Sequence, residues 1–300
     1  MNNSVLQTRN GVINAISAYV MWGFAPLYFK LLVDIDASEI LIHRVIWSCL
    51  LLAVFVVIAN KWRFVQVIIK QPKLVAKLLF TSTILATNWF LFIWAINHDR
   101  LLDASLGYFI NPLFSVALGV IFLDERLRKW QKFAVLLAVV GVSIQLIVLG
   151  SLPIISLALA GTFGTYGLLR KKMAVDSFVG LLFESALMVP VALIYWWFFT
   201  DSASSNMVNN NLNLNIILIL AGVVTTAPLL CFTAAAKRLT LSALGFFQYI
   251  GPSIMFVLAT FLYHEPLSTT KLTTFALIWL ALLIFSLDSL KALKLSKEKN

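Results

Sequence analysis

The chain has 300 residues, 61% of them hydrophobic and only 12% charged. An ordinary soluble domain, in which about a quarter of residues are charged, is therefore excluded. The net charge of +10 does not indicate a nucleic-acid partner, because the basic residues are scattered through short connections instead of forming one face.

A hydrocarbon core about 30 Å thick needs about 20 apolar residues per helix. Ten low-charge runs have that length: 11–31, 38–58, 74–96, 103–123, 130–149, 152–170, 178–199, 214–236, 241–263 and 272–290. They are continuous, whereas barrel strands alternate over about 10 residues, so an all-α polytopic membrane protein is expected. Counted on alternate sides of ten spans, nineteen Lys and Arg residues fall on one side and only Lys30, Arg100 and Lys271 on the other. The positive-inside rule then predicts that both termini are cytoplasmic.

Residues 1–10 read as a short polar tail. No basic segment with a short apolar run and an A-x-A site precedes the first span, so that helix is expected to be uncleaved. The first span carries Trp22 and Pro26, and proline there removes a backbone hydrogen bond. Asp36 and Glu39 start the second span with a cap and acid at its positive end. Within it stand His43 and Arg44. A mid-span arginine costs about 2.5–3.5 kcal/mol on insertion scales and usually faces protein or water, although Arg44 is shallow enough to snorkel to the outer surface.

The basic connection 60–77, with Trp62 and Phe64, reads as an interfacial segment touching anionic lipid. The third span holds Asn88 and Trp89, and amides in lipid find helix partners or line a site. In the fourth, Ser105, Tyr108 and Asn111 lie on one inclined face, followed by Pro112. The 124–129 loop reads as a solvated turn with internal ion pairs. The fifth span is nearly devoid of polar groups and is expected at the periphery, against lipid or a second copy of the chain.

The turn at 150–153 offers a serine cap and a first-turn proline for the sixth span, where Gly161, Gly164 and Gly167 form a small-residue stripe suited to close helix packing. Glu184 is the acidic residue placed well inside a span, in the seventh. It reads as a proton-coupling carboxylate, an anchor for a cationic group, or a structural carboxyl. Residues 200–215 form the longest outer loop. The eighth span carries Thr225, Thr226 and Pro228; the ninth carries Gln248, Gly251 and Pro252. Cys49 and Cys231 have no ligand spacing and read as small buried apolar residues.

The halves repeat. An offset of 140 sets Pro112 against Pro252, Ile110 against Ile250, Asp36 against Asp176, Glu125 against Glu265 and Arg44 against Glu184. Residues 1–149 and 150–300 are thus expected to be two copies of one unit. Five spans per copy, an odd number, force the second to enter the membrane inverted, the sequence pattern of many secondary transporters. Inversion places Arg44 and Glu184 at different depths, so they need not pair. No Walker A sequence, zincin motif or nucleophile elbow is present; no cofactor or metal is expected, nor is the chain expected to be an enzyme.

The stretches Ala37-Ser-Glu-Ile-Leu-Ile-His43-Arg44-Val-Ile-Trp47-Ser48, Asn88-Trp-Phe-Leu-Phe-Ile-Trp94, 104–112 and Gly245-Phe-Phe-Gln248-Tyr-Ile-Gly-Pro252 closely resemble the EamA group of the drug/metabolite transporter superfamily. The resemblance implies ten helices in two inverted repeats, a central cavity among helices 1–4 and 6–9, helices 5 and 10 at the edge, and a bacterial inner membrane. It assigns no substrate residue. The expected function is a secondary transporter, most simply an exporter, of small organic solutes. Arg44, Asn88, Tyr108, Asn111, Glu184, Gln248, His43, Trp22 and Trp89 are expected along the path, with Pro112 and Pro252 as hinges. A solute and the bilayer are the expected partners, with a homodimer left open and no nucleic acid. A non-transporting scaffold or receptor remains an alternative, and an intramembrane enzyme a more distant one.

Overall fold

A computed structural model describes residues 3–98, 101–149, 154–200, 207–262, 264 and 269–298. The described chain is helical: α1 (Asn3–Phe29), α2 (Ala37–Ile58), α3 (Trp62–Ile69), α4 (Pro72–Asn97), α5 (Leu101–Phe122), α6 (Lys129–Leu149), α7 (Ile154–Lys172), α8 (Ser177–Phe199), α9 (Leu212–Ala236), α10 (Leu241–Gln248), α11 (Ile250–Val257) and α12 (Thr269–Glu298). The expected spans map onto these with α10 and α11 together forming the ninth. Two expectations change. Residues 3–10 continue the first helix instead of trailing as a tail, and Arg238 donates from Nε to Gln7 Oε1 at 3.0 Å. The basic connection contains the short helix α3, which buries Val65 and Ile68 and leaves Trp62 and Phe64 exposed, as suits an interfacial segment.

Among the described residues, nine helical segments are long and apolar enough to cross a membrane. The tenth of the expected set, α7, falls short because glycines, threonines and a basic end dilute its apolar residues. Its packing explains the tolerance: α4, α5 and α9 pack against it, so little of it has to suit lipid. Gly164 lies where a Cβ would come within 2.8 Å of Phe114, and at Gly167 one would come within 3.2 Å of Phe232. The glycine stripe is therefore a packing device serving two neighbours.

The helix pairings are unchanged when the halves are exchanged. α5 packs on α7 as α11 packs on α1; α2 on α9 as α8 on α4; α1 on α9 as α7 on α4; and α2–α8, α5–α10 and α6–α12 map onto themselves. Local detail repeats as well. Asp124 and His264, 140 residues apart, both adopt a left-handed backbone (φ 52° and 51°), although Asp and His rarely do so. Asp36 and Asp176 sit at the same helix-start position with near-identical dihedrals, yet only Asp176 caps with its side chain, accepting from Phe178 N and Val179 N. Asp36 contributes only its carbonyl. The turn at 150–153, together with Glu265, lies outside the described residues.

Pro112 sits inside a continuous α5, whereas Pro252 lies four residues after Gln248, where α10 ends and the chain breaks at Tyr249 before α11. Both prolines remove the donor that would serve the carbonyl four residues back. Pro112 lies against α10, one turn before the break: a Cβ at Gly245 would come within 2.7 Å of the Pro112 carbonyl. Beyond α11 the helix widens to a π-type turn over Leu258–Leu262.

Candidate transport path

Arg44 is the eighth residue of α2. Its Nε donates to Thr225 Oγ1 of α9 at 2.8 Å, and its guanidinium lies 4.9 Å from the Trp89 ring centroid and 5.6 Å from that of Phe29. The phenols of Tyr108 and Tyr28 are within electrostatic reach. These contacts draw the side chain inward between helices instead of letting it snorkel. Among the described residues no carboxylate lies within ion-pairing distance of it and its two terminal nitrogens make no hydrogen bond, and the residue is half-buried.

Glu184 is the eighth residue of α8, the same place in the repeated unit, and its surroundings are the opposite. Its Oε1 accepts from Thr81 Oγ1 of α4 at 2.6 Å and its Oε2 from the Tyr166 hydroxyl of α7 at 3.0 Å. Ser82 Oγ donates to its backbone carbonyl. Its counter-charge is Arg170, with Nη1 3.6 Å from Oε1 and both side chains 1% exposed. Arg170 makes no hydrogen bond from any of its three guanidinium nitrogens. It fits because residue 180 is glycine: a Cβ there would lie 2.3 Å from Arg170 Nη1. The sequence places Arg170 in a solvated Arg-Lys-Lys run at the end of a span; the structure buries it. Glu184 thus ties α4, α7 and α8 together.

A narrow cavity separates the two charges. It is bounded by Trp89 and Thr225, the residues that hold Arg44, and runs past Ser48, Leu85 and Thr226 to Glu184 and Ser185. Only about 10 Å³ is open to the centre of a water-sized sphere, room for about one water. Its walls are α2 and α4 from one half and α8 and α9 from the other.

The remaining expected path residues disperse. Asn88 donates from Nδ2 to the Leu159 carbonyl and to Thr162 Oγ1, both in α7, and so acts as a helix tie. Tyr108 is 42% exposed and packs edge-on against Phe92. The Asn111 side-chain oxygen is buried beside Gly164 without a partner. Gln248 is buried, donating to Ser115 Oγ at 3.4 Å, with its own oxygen unpartnered. His43 lies on another face of α2, accepting at Nδ1 from Trp47 Nε1 and packing on Trp196 of α8. Trp22 is enclosed by Tyr19, Phe163 and Phe232. Trp89, expected along the path, already holds a cation, the protein's own Arg44.

At the basic end, side chains link the halves. Lys61 Nζ pairs with Asp176 at 2.6 Å. Burial works to raise the Asp176 carboxyl, but the Lys61 hydrogen bond and charge and two backbone N–H groups outweigh it and hold it below the usual carboxylate range. The 124–129 loop does not pair internally as expected. Instead Glu125 accepts from Leu241 N, Ser242 N and Ser242 Oγ at 2.6–2.8 Å, capping the start of α10, and Arg128 pairs with Asp288 of α12.

Comparison with known proteins agrees with this architecture. A solved crystal structure superposes with a TM-score of 0.74 at 17% identity, over 92% of this chain and 97% of its own, which shows a shared fold. An uncharacterized transporter of Vibrio cholerae is 55% identical over 95% of this chain and 94% of its own length, and Protein RarD of Escherichia coli is 52% identical over 95% and 96%. Residues 9–147 match the EamA-like transporter family. The chain is a multi-pass membrane transporter of the EamA family, of the RarD type.

Proposed function

We propose that the chain is a secondary transporter that moves small organic solutes across the bacterial cytoplasmic membrane by alternating access, in the export direction, with the basic end and both termini on the cytoplasmic side. The observation that carries this reading is the cavity walled equally by α2 and α4 of one half and α8 and α9 of the other. A constricted path on the plane exchanged by the two repeats opens to one side or the other when the halves rock. Pro112 weakens α5 and Pro252 the α10–α11 pair, and these are the hinges. The ties through Lys61–Asp176, Glu125 and Arg128–Asp288 close the basic end in this state.

Glu184 is the proposed coupling group. As a carboxylate it only accepts, from Thr81 and Tyr166. A proton on it would turn an acceptor into a donor and leave Arg170 without its counter-charge, loosening α4 from α7 and α8. A second reading, a purely structural tie, is favoured by the saturation of both its oxygens. Flux assays in inside-out and right-side-out vesicles separate the two. Solute movement driven by a proton gradient in wild type and uncoupled from it in Glu184→Gln supports coupling; unchanged gradient dependence in a folded variant leaves only the tie. Absence of any solute movement by folded protein would favour a scaffold or receptor.

A further inference from the structure

We infer that Arg44 is an anion receptor and that the solutes this transporter takes are organic monoanions with a carboxylate on a flat apolar body. The inference rests on the transporter reading above and names the substrate class of that path.

Arg44 carries a full positive charge among helices without a carboxylate within ion-pairing distance among the described residues. Keeping a bare cation among helices is costly, a cost that a bound anion offsets. The other deep arginine in the molecule, Arg170, shows what a structural arginine looks like here: sealed at 1% exposure and paired. Glu39, the acidic residue nearest along α2, is on the face of His43 and not that of Arg44.

The geometry narrows the ligand. Thr225 occupies Nε, so the guanidinium is held at its stem and presents its two terminal nitrogens together. That edge matches the two oxygens of a carboxylate end-on. The Tyr108 hydroxyl, near Arg44, has no partner among the described residues and supplies a third donor. One positive charge and one phenol balance a monoanion and leave a phosphate dianion under-compensated. The guanidinium lies over the rings of Trp89 and Phe29, 4.9 Å and 5.6 Å from their centroids, so the surface around the charge is aromatic and favours a planar apolar body next to the carboxylate. A cationic ligand is opposed by Arg44 itself.

The test uses full-length protein in detergent micelles with benzoate, benzamide, benzylammonium and phenyl phosphate as probes, read by quenching of tryptophan fluorescence and by thermal shift. Benzoate is expected to give a saturable signal, with the other three weaker by roughly tenfold or more, the worth of a charged hydrogen-bonded pair. Arg44→Gln is expected to lose the benzoate signal while unfolding at the wild-type temperature without ligand, and Arg44→Lys to retain part of it. Equal responses to benzamide or benzylammonium, stronger binding of phenyl phosphate, undiminished benzoate binding in Arg44→Gln, or no benzoate response in folded wild-type protein would each overturn the assignment. Flux in liposomes is measured separately. Benzoate binding without flux of any solute keeps the anion site and removes the transporter reading; gradient-driven flux of a cation without benzoate binding does the reverse.

Discussion

Arg44 and Glu184 occupy equivalent places in the two halves, and the difference between them is one of engagement: one carboxylate is fully partnered, one guanidinium is not. Glu184 borders the cavity, yet its carboxylate is fully engaged: two hydroxyl donors satisfy its oxygens and a buried arginine balances its charge. Around Arg44 the first contacts are made, one hydrogen bond and two aromatic faces, and the rest is left open. One copy of the position holds three helices together through a carboxylate; the other carries a guanidinium bonded only at its Nε. The substitutions around the two sites follow this division. Position 180 is glycine to admit Arg170, whereas its counterpart in the first half is Ile40; Arg170 itself stands opposite Lys30.

The largest effect that would break this comparison is on stability. Glu184→Leu leaves Arg170 as an uncompensated buried cation and is expected to cost about 3–5 kcal/mol. Replacing both partners, Glu184→Leu with Arg170→Met, is expected to restore most of that loss, because paired apolar residues replace a buried ion pair without penalty. Arg44→Gln should stay within about 1 kcal/mol of wild type, since no charge loses its partner. Denaturant unfolding in micelles measures all three. If Arg44→Gln proved as destabilising as Glu184→Leu, the two sites would be alike and the open-versus-closed contrast would fall.

Next in size is Gly180→Ala. The new Cβ would meet Arg170 Nη1 at 2.3 Å, and overpacking of this kind costs about 1–3 kcal/mol. The effect should vanish in the Arg170→Met background, where the flexible thioether yields; persistence there would place the strain elsewhere than at the Arg170 side chain. Smaller again is Glu125→Gln. It weakens charge-assisted bonds to the start of α10, a loss of about 1–2 kcal/mol by comparison with helix caps. Because Glu125 links the halves at the basic end, the same change should also raise the labelling rate of a cysteine placed at Ser185 from that side. Unchanged labelling would mean that Glu125 caps the helix without holding the end closed.

Much of the helical architecture was legible because it is written in a quantity that the sequence carries directly, the length of its apolar runs. Arg44 was legible for the same reason, a charge standing alone in an apolar run. Arg170 was not. It lies beside Lys171 and Lys172 at a helix end, where a basic triplet normally meets solvent, and only the tertiary placement of Gly180 and Glu184 makes it a buried residue. A usable signal did exist, an acidic residue deep in one span that needs a basic neighbour at the end of another, but sequence does not say which. Asn88, His43 and Trp22 show the converse limit. Polarity within a span marked them, yet whether such a side chain faces a path or a neighbouring helix depends on rotation about the helix axis, and that is set by packing.

The smallest expected effect concerns the charge that Arg170 projects beyond its own pair. Lys237, just past α9, donates to the Val175 carbonyl. Burial first, and then the nearby Arg170 charge, push its ammonium down to about 8, with Asp176 pulling the other way and Arg238 and Lys61 adding to the push. A lysine in the unfolded chain keeps its proton to about 10.4, so between these values the unfolded state binds more protons than the folded one. Stability should therefore rise as pH increases from about 8 towards 10; below that window the destabilisation from this group is fully present and independent of pH. Lys237→Met is expected to flatten the rise. Arg170→Met with Glu184→Leu should shift it to higher pH by relieving one of the two main causes. A rise of unchanged position in that double variant would mean that burial alone sets the Lys237 proton, and that the Arg170 charge is fully absorbed by Glu184.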